Sequence, residues 1–343
     1  MSVRITPCWI AIVFLTTNQF LDLHAAEPLR KEGDDPGFLV QGEYVGDVTQ
    51  SDRKKKLGVH VISLGNGKFR AVWRNGGLPG DGWDKNESAP REGEIVAGVT
   101  TFKADEQTAT IKDGVMVITT DGKVIGELKR IVRKSTTLGA KPPKGAVVLF
   151  DGKNAEQFEN GRMTEDGLLM QGATSKFKHQ SGTLHIEFQI PFGPLVPSRG
   201  NSGCYLQSRY EVQMLDSFGL KPHNHECGGI PSIKEPDLNM SFPPLSWQTY
   251  DVDITAAQFT NGQKTKNGRM TVRHNGVVVH DNVELPHATT SSPLPEGPEP
   301  GPINLQDHNS EVRYRNGCLE TRNGFLAVRR SGECRNAHCS TDR

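Results

Sequence analysis

The sequence carries no excess charge of either sign: 40 Lys and Arg residues balance 40 Asp and Glu residues, for a formal net charge of zero. Without a basic stripe there is no electrostatic footprint for a nucleic-acid partner. The short run Arg53-Lys54-Lys55-Lys56 reads as a solvated loop. Long apolar runs are also lacking. The one candidate, residues 8–15, falls short of the roughly 20 residues that a membrane span requires. With Arg4 ahead of it and Ala25 and Ala26 behind, it reads instead as the core of a signal peptide over residues 1–26. The mature protein is therefore expected in the periplasm or outside the cell, with no stable membrane span. There is no CxxC pair, which argues against a structural metal site built on cysteine. Once Cys8 leaves with the signal, Cys204, Cys227, Cys318, Cys334 and Cys339 remain, an odd set with at least one unpaired thiol.

Apolar stripes of helical period are scarce too. Short alternating runs separated by Gly, Asn and Asp dominate, and they predict an all-β protein. A first region, residues 37–134, contains hairpin signals at Gly65-Asn66-Gly67, Asp113-Gly114 and Asp121-Gly122, and is expected to be a small antiparallel meander. The stretch Gly76-Gly77-Leu78-Pro79-Gly80-Asp81-Gly82-Trp83 is too rich in glycine for a strand and is expected to be a loop. Residues 135–145, with Pro142-Pro143, read as an extended linker. The second region, residues 146–319, alternates cleanly. Leu184, Ile186, Phe188 and Ile190 share one face of a strand, and Thr183, His185, Glu187 and Gln189 the other. The same pattern recurs at Tyr210, Val212 and Met214, at Tyr250, Val252 and Ile254, and at Ile303 and Leu305. Several such strands predict a two-sheet sandwich or jelly roll.

The polar faces of these strands hold planar amides, carboxylates and histidine, with Tyr205 and Trp247 nearby. Sugars are recognised by such mixtures, since amides and carboxylates pair with hydroxyls and an aromatic ring covers apolar C–H patches. Glu187 and Glu211 would form the carboxylate pair of an ordinary glycosidase if their strands were neighbours. The run His223-Asn224-His225-Glu226-Cys227 precedes Gly228-Gly229, which marks it as a loop at the surface or at the rim of a site.

Six segments in order resemble the 3-keto-disaccharide hydrolase family. They are Val147-Val148-Leu149-Phe150-Asp151-Gly152; Leu184-His185-Ile186-Glu187-Phe188; Gly200-Asn201-Ser202-Gly203 with Tyr205-Leu206-Gln207; Tyr210-Glu211-Val212-Gln213-Met214-Leu215-Asp216; Trp247-Gln248-Thr249-Tyr250-Asp251; and residues 302–308 with Val312-Arg313-Tyr314-Arg315-Asn316. The resemblance implies a concanavalin-like sandwich with one ligand-binding sheet. It also implies a chemistry in which the C2 proton of a 3-keto sugar is removed and the C1 substituent departs. Glu211 or His308 is then expected as the base. Arg313, or a divalent metal held by Glu187, Glu211 and His308, would polarise the ketone. Asn201, Tyr205, Gln207, Gln213, Trp247, Gln306 and Arg315 are expected to bind the substrate. A non-catalytic carbohydrate-binding module is the alternative, and a structural surface protein a third reading. After Asn316 the apolar strand that closes the family's domain is not recognisable, so residues 320–343 are expected to be an appended tail, with residues 325–328 as a substitute strand.

Overall fold

A computed structural model describes residues 35–194 and 199–322. The expected signal peptide and the tail with Cys334, Cys339 and residues 325–328 lie outside the described residues. No helix among the described residues is long and apolar enough to cross a membrane.

Eight antiparallel strands form the first body: β1 (Gly42–Gln50), β2 (Arg53–Gly65), β3 (Lys68–Asn75), β4 (Arg91–Val96), β5 (Val99–Ala104), β6 (Gln107–Lys112), β7 (Val115–Thr120) and β8 (Lys123–Ile131). Consecutive strands turn on pairs of residues with positive φ: Asn66-Gly67, Ala97-Gly98, Asp113-Gly114 and Asp121-Gly122. Such primed turns match the twist of the strands that they join. The expected meander is in fact a closed barrel, because β1 also pairs with β8 from Glu43↔Ile131 to Val48↔Gly126. Two glycines permit that closure. A Cβ at Gly46 would lie 2.1 Å from the Glu127 carbonyl oxygen, and one at Gly126 would lie 2.6 Å from that of Asp47. Tyr44, Val59, Val61, Phe69, Phe102, Met116 and Leu128 pack together in the interior as the barrel's core. The basic run from Arg53 is the exposed start of β2 rather than a loop.

The second body is a two-sheet sandwich. Its strands are β9 (Val147–Phe150), β10 (Phe158–Glu159), β11 (Leu169–Met170), β12 (Ala173–His179), β13 (Gly182–Gln189), β14 (Asn201–Leu206), β15 (Tyr210–Leu215), β16 (Trp247–Thr255), β17 (Gln258–Thr260), β18 (Gln263–Lys266), β19 (Gly268–His274), β20 (Val277–Leu285), β21 (Gly301–Leu305) and β22 (Arg313–Thr321). One sheet runs β10-β12-β21-β14-β15; the other runs β11-β22-β13-β16-β19-β20, with β9 beside β22; β17 and β18 pair separately. Leu184, Ile186 and Phe188 of the larger sheet share one core with Cys204, Leu206, Val212 and Met214 of the smaller. Burying alternate residues of both sheets fixes register, since a slip by one residue would turn each apolar set outward. Cys204, Cys227 and Cys318 are buried and unpaired.

The closing strand expected to be missing is present. β22 runs on through Gly317-Cys318-Leu319-Glu320-Thr321 and sits between β13 and β9. Nor is the segment after the barrel a free extended linker. Ser135 Oγ lies 2.6 Å from Thr249 Oγ1, Thr137 Oγ1 donates to Asp251 (2.7 Å), and Gly139 N–H donates to Glu187 (2.6 Å). These contacts lay residues 135–140 against the outer face of the larger sheet.

Candidate functional site

Alternation along β14 and β15 sends Ser202, Cys204, Leu206, Val212 and Met214 inward and leaves Asn201, Gly203, Tyr205, Glu211 and Gln213 on the outer face of the smaller sheet. The chain leaving β21 extends this face. Gln306 N–H donates to the Gly203 carbonyl (2.9 Å), and Ser202 Oγ donates to the Gln306 carbonyl (2.8 Å), which brings Gln306 and His308 alongside. The result is an open cleft lined by Asn201, Tyr205, Glu211, Gln213, Gln306 and His308 and walled by His225, Pro231, Thr290 and Ser291.

Glu211 is the only carboxylate among the described residues that line this cleft. It is 4% exposed, and burial pushes its pKa up to about 7, opposed by a hydrogen bond with Tyr205. Gly203 makes room for it: a Cβ there would meet Glu211 Oε1 at 2.0 Å and Tyr205 Cε2 at 3.1 Å. Tyr205 is itself buried, and its hydroxyl accepts from Gln306 Nε2 at 3.3 Å. Its ring is therefore no sugar-stacking platform; its hydroxyl links Gln306 to Glu211. Glu211 N–H donates to Thr289 Oγ1 (2.9 Å), which ties the strand to the loop that supplies Thr290 and Ser291. Asn201 Oδ1 is buried and has no hydrogen-bond partner among the described residues. His308 stands exposed at the rim.

The remaining expected site residues lie elsewhere. Glu187, Trp247, Arg313 and Arg315 are on the outer face of the larger sheet, across the core from the cleft. Glu187 and Glu211 are therefore no carboxylate pair, because β13 and β15 belong to different sheets. For the same reason Glu187, Glu211 and His308 do not fit a shared metal, and among the described residues no group of three His, Cys, Asp or Glu is placed to hold one. Arg313 is engaged by Gln171 Oε1 (2.9 Å) and Glu311 (3.4 Å). Gln207 occupies the β14–β15 turn with φ 55°, where its amide donates to the Gln180 carbonyl (2.7 Å).

Glu187 forms a different centre. It is 1% exposed and takes hydrogen bonds from Gly139 N–H, Arg315 Nε (2.6 Å) and Asn316 Nδ2 (2.8 Å). Burial alone would raise its pKa. Its partners, with His185 first among them, outweigh burial and bring it down to about 2. The Arg315 guanidinium lies 3.9 Å above the Trp247 ring. His185 Nδ1 is 2.6 Å from Asp251 Oδ1. Burial opposes its protonation, but Asp251 and then Glu187 carry its pKa up to about 9. This cluster seats the segment that joins the two bodies.

His225, Thr290 and Ser291 come from long loops that have no periodicity to announce them. The only sequence signal was the histidine pair of the 223–227 run, whose rings now lie 5.6 Å apart beside the cleft.

The chain matches the 3-keto-alpha-glucoside-1,2-lyase-like domain over residues 145–319. Among solved structures, it resembles a protein from Parabacteroides distasonis named as a candidate glycosyl hydrolase, with 32% identity and a TM-score of 0.47 over 52% of this chain and 85% of that one. A second protein from the same organism, named in the same way, has 19% identity and a TM-score of 0.36 over 52% of this chain and 99% of that one. No curated protein matches.

Proposed function

Because the chain belongs, through residues 145–319, to the 3-keto-alpha-glucoside-1,2-lyase-like domain family, we propose that it is an exported enzyme that cleaves the glycosidic bond of 3-keto-glycosides in the cleft of the smaller sheet. One observation carries the reading: among the described residues that line it, the cleft holds a single buried carboxylate, Glu211. An ordinary glycosidase needs two carboxyl groups on either side of the scissile bond. Elimination beside a ketone needs one base. The C2–H bond breaks and its proton passes to Glu211. The electron pair forms an enolate with the C3 carbonyl, and the C1–O bond then breaks and releases the aglycone oxygen. Water adding across the new C1–C2 double bond completes a net hydrolysis.

A base works best when its pKa lies near the working pH, and Glu211 at about 7 meets that condition. The amides of Asn201, Gln213 and Gln306 are the donors on hand for the enolate oxygen and the sugar hydroxyls. His308 on the rim is suited to return a proton to the leaving oxygen. Arg313 has no part in this scheme, and no step requires a metal.

The test is turnover of a 3-keto-glucoside by the wild type and by Glu211→Gln. A loss of roughly 10²-fold or more is expected for removal of a general base. Wild-type turnover by the variant would remove Glu211 from the mechanism. Tight binding of unmodified glycan with no turnover of any ketosugar would instead mark a binding module.

A further inference from the structure

β15, which carries Glu211 and Gln213, is the edge strand of its sheet. Its edge is not left open. The chain loops away after Leu215 and returns so that Gln213 N–H donates to the Gly229 carbonyl and Gly228 N–H to that of Gln213, both at 2.9 Å. The excursion between brings His225 to the cleft wall. Its base is tied to the sandwich: Cys227 N–H donates to Ser217 Oγ (2.8 Å), Ser217 Oγ donates to Glu226 (2.5 Å), and Asn239 Nδ2 donates to the carbonyls of Ser217 (2.6 Å) and Leu220 (2.9 Å).

Its tip rests on the barrel. Phe218, 2% exposed, packs its ring 4.9 Å from that of His60 on β2. Gly219 follows with φ +73°, and a Cβ there would lie 2.7 Å from Ile62 Cδ1 and 3.1 Å from His60 Cβ. Lys221 reaches Glu87 at 3.4 Å. The barrel side of this seam is cross-linked by buried and partly buried hydrogen bonds. His60 Nε2 is 3.2 Å from Glu43, and Arg74 Nε donates to His60 Nδ1 (3.4 Å). Glu43 is held by two bonds from Arg133, at 2.8 and 2.5 Å. Arg133 in turn donates to the Pro79 carbonyl (2.7 Å) and lies 5.1 Å from the Phe242 ring of the sandwich. Glu43, His60 and Arg74 are all nearly fully buried. A surface that serves only solubility has no need of such a network.

We propose that the barrel is a buttress for the cleft: His60 and Ile62 hold the Phe218-Gly219 tip, and through it the loop that seals β15 and presents His225 to the substrate. The barrel then contributes to substrate binding without contacting the substrate. Phe218, Ile62 and His60 are positioning residues, and Glu211, on the strand itself, keeps its chemistry.

The binding half of this proposal rests on the cleft being the ketosugar site, whereas the bracing half does not. Both are tested on the full chain with Phe218→Ala, the milder Phe218→Leu, and Ile62→Ala, which opens the seam from the barrel side and leaves the loop intact. Hydrogen exchange at residues 213 and 220–229 reports the brace, and steady-state kinetics on a 3-keto-glucoside report its consequence. The expected result is roughly tenfold faster exchange there, with the barrel and sandwich cores still protected. KM should rise about fivefold to tenfold, kcat should stay within about twofold, and Phe218→Leu should fall between. Unchanged exchange in both Phe218→Ala and Ile62→Ala would overturn the brace. Faster exchange with an unchanged KM, or a fall in kcat at constant KM, would overturn its role in binding. A wild type inactive on ketosugars would sink the reading of the cleft and overturn the binding half with it, while exchange alone still decides the brace.

Discussion

Glu211 should be costly to keep. Its carboxyl is raised from an ordinary 4.5 to about 7 by burial. Between those values the folded state holds a proton that the unfolded chain has released, so stability falls as pH rises through this window. At about 1.4 kcal/mol per pH unit, the loss amounts to about 3 kcal/mol by pH 8. Glutamine has the same shape and no charge to desolvate, and its amide oxygen can still accept from Tyr205. The variant Glu211→Gln is therefore expected to match the wild type within about 0.5 kcal/mol at pH 4.5 and to exceed it by about 3 kcal/mol at pH 8, even as turnover is lost. Urea unfolding of both proteins at the two pH values measures the difference, followed by a signal of the sandwich. Several degrees in Tm should accompany it. Were the gap between the proteins the same at pH 4.5 and pH 8, Glu211 would not be a carboxyl strained by burial, and its assignment as a base poised near neutrality would lose its physical ground.

Tyr205→Phe removes the hydrogen bond that favours the ionised carboxylate, worth roughly 1.5–3 kcal/mol to a charged group. The acidic limb of the kcat/KM profile should move up by about one to two pH units, and a limb that stays in place would deny the Tyr205–Glu211 link. Gly203→Ala drives a methyl into Glu211 Oε1; a drop in kcat of at least tenfold with the fold retained is expected, checked by activity beside near-UV circular dichroism. Glu187 is lowered to about 2, so it contributes stability that is present above its ordinary value of 4.5 and lost as pH falls through 2. Glu187→Gln should flatten that acid limb of the unfolding curve. His185 is raised to about 9, so its contribution is complete below 6.5 and lost as pH rises through 9. Asp251→Asn should bring its imidazole titration down toward neutrality by NMR.

The strands were legible because two faces with different solvents impose a period of two, visible at Leu184, Ile186 and Phe188. What alternation cannot say is which sheet a strand joins. Glu187 and Glu211 lie on equally polar faces of equally regular strands, yet the first faces residues 135–140 and the second faces the cleft. The closing half of β22 was hidden for a related reason. Gly317, Cys318 and Leu319 are all buried, so apolar and polar positions stop alternating there. Barrel closure left only Gly46 and Gly126 as traces, small residues whose meaning depends on a strand 80 positions away. The resemblance carried the cleft residues of β14, β15 and the 306–308 segment. The loops that wall the cleft follow no period and came only from the structure.

The joint at residues 135–140 bears on how the two bodies travel together through evolution. Glu187 and Asn316 read the main-chain amide of Gly139 and the carbonyl of Ala140, not their side chains. Recognition of that kind leaves the side chain at 140 free to drift, whereas position 139, at φ +77°, favours glycine, and Ser135 and Thr137 are held through their hydroxyls. Relatives that keep the joint are expected to keep a glycine at 139 and hydroxyls at 135 and 137. It also ties the sandwich's inheritance to a segment outside residues 145–319. A recombination event that transplanted only the matched stretch would strip the nearly fully buried Glu187 of one of its donors. The unit able to move intact therefore includes residues 135–140 as well as the matched stretch.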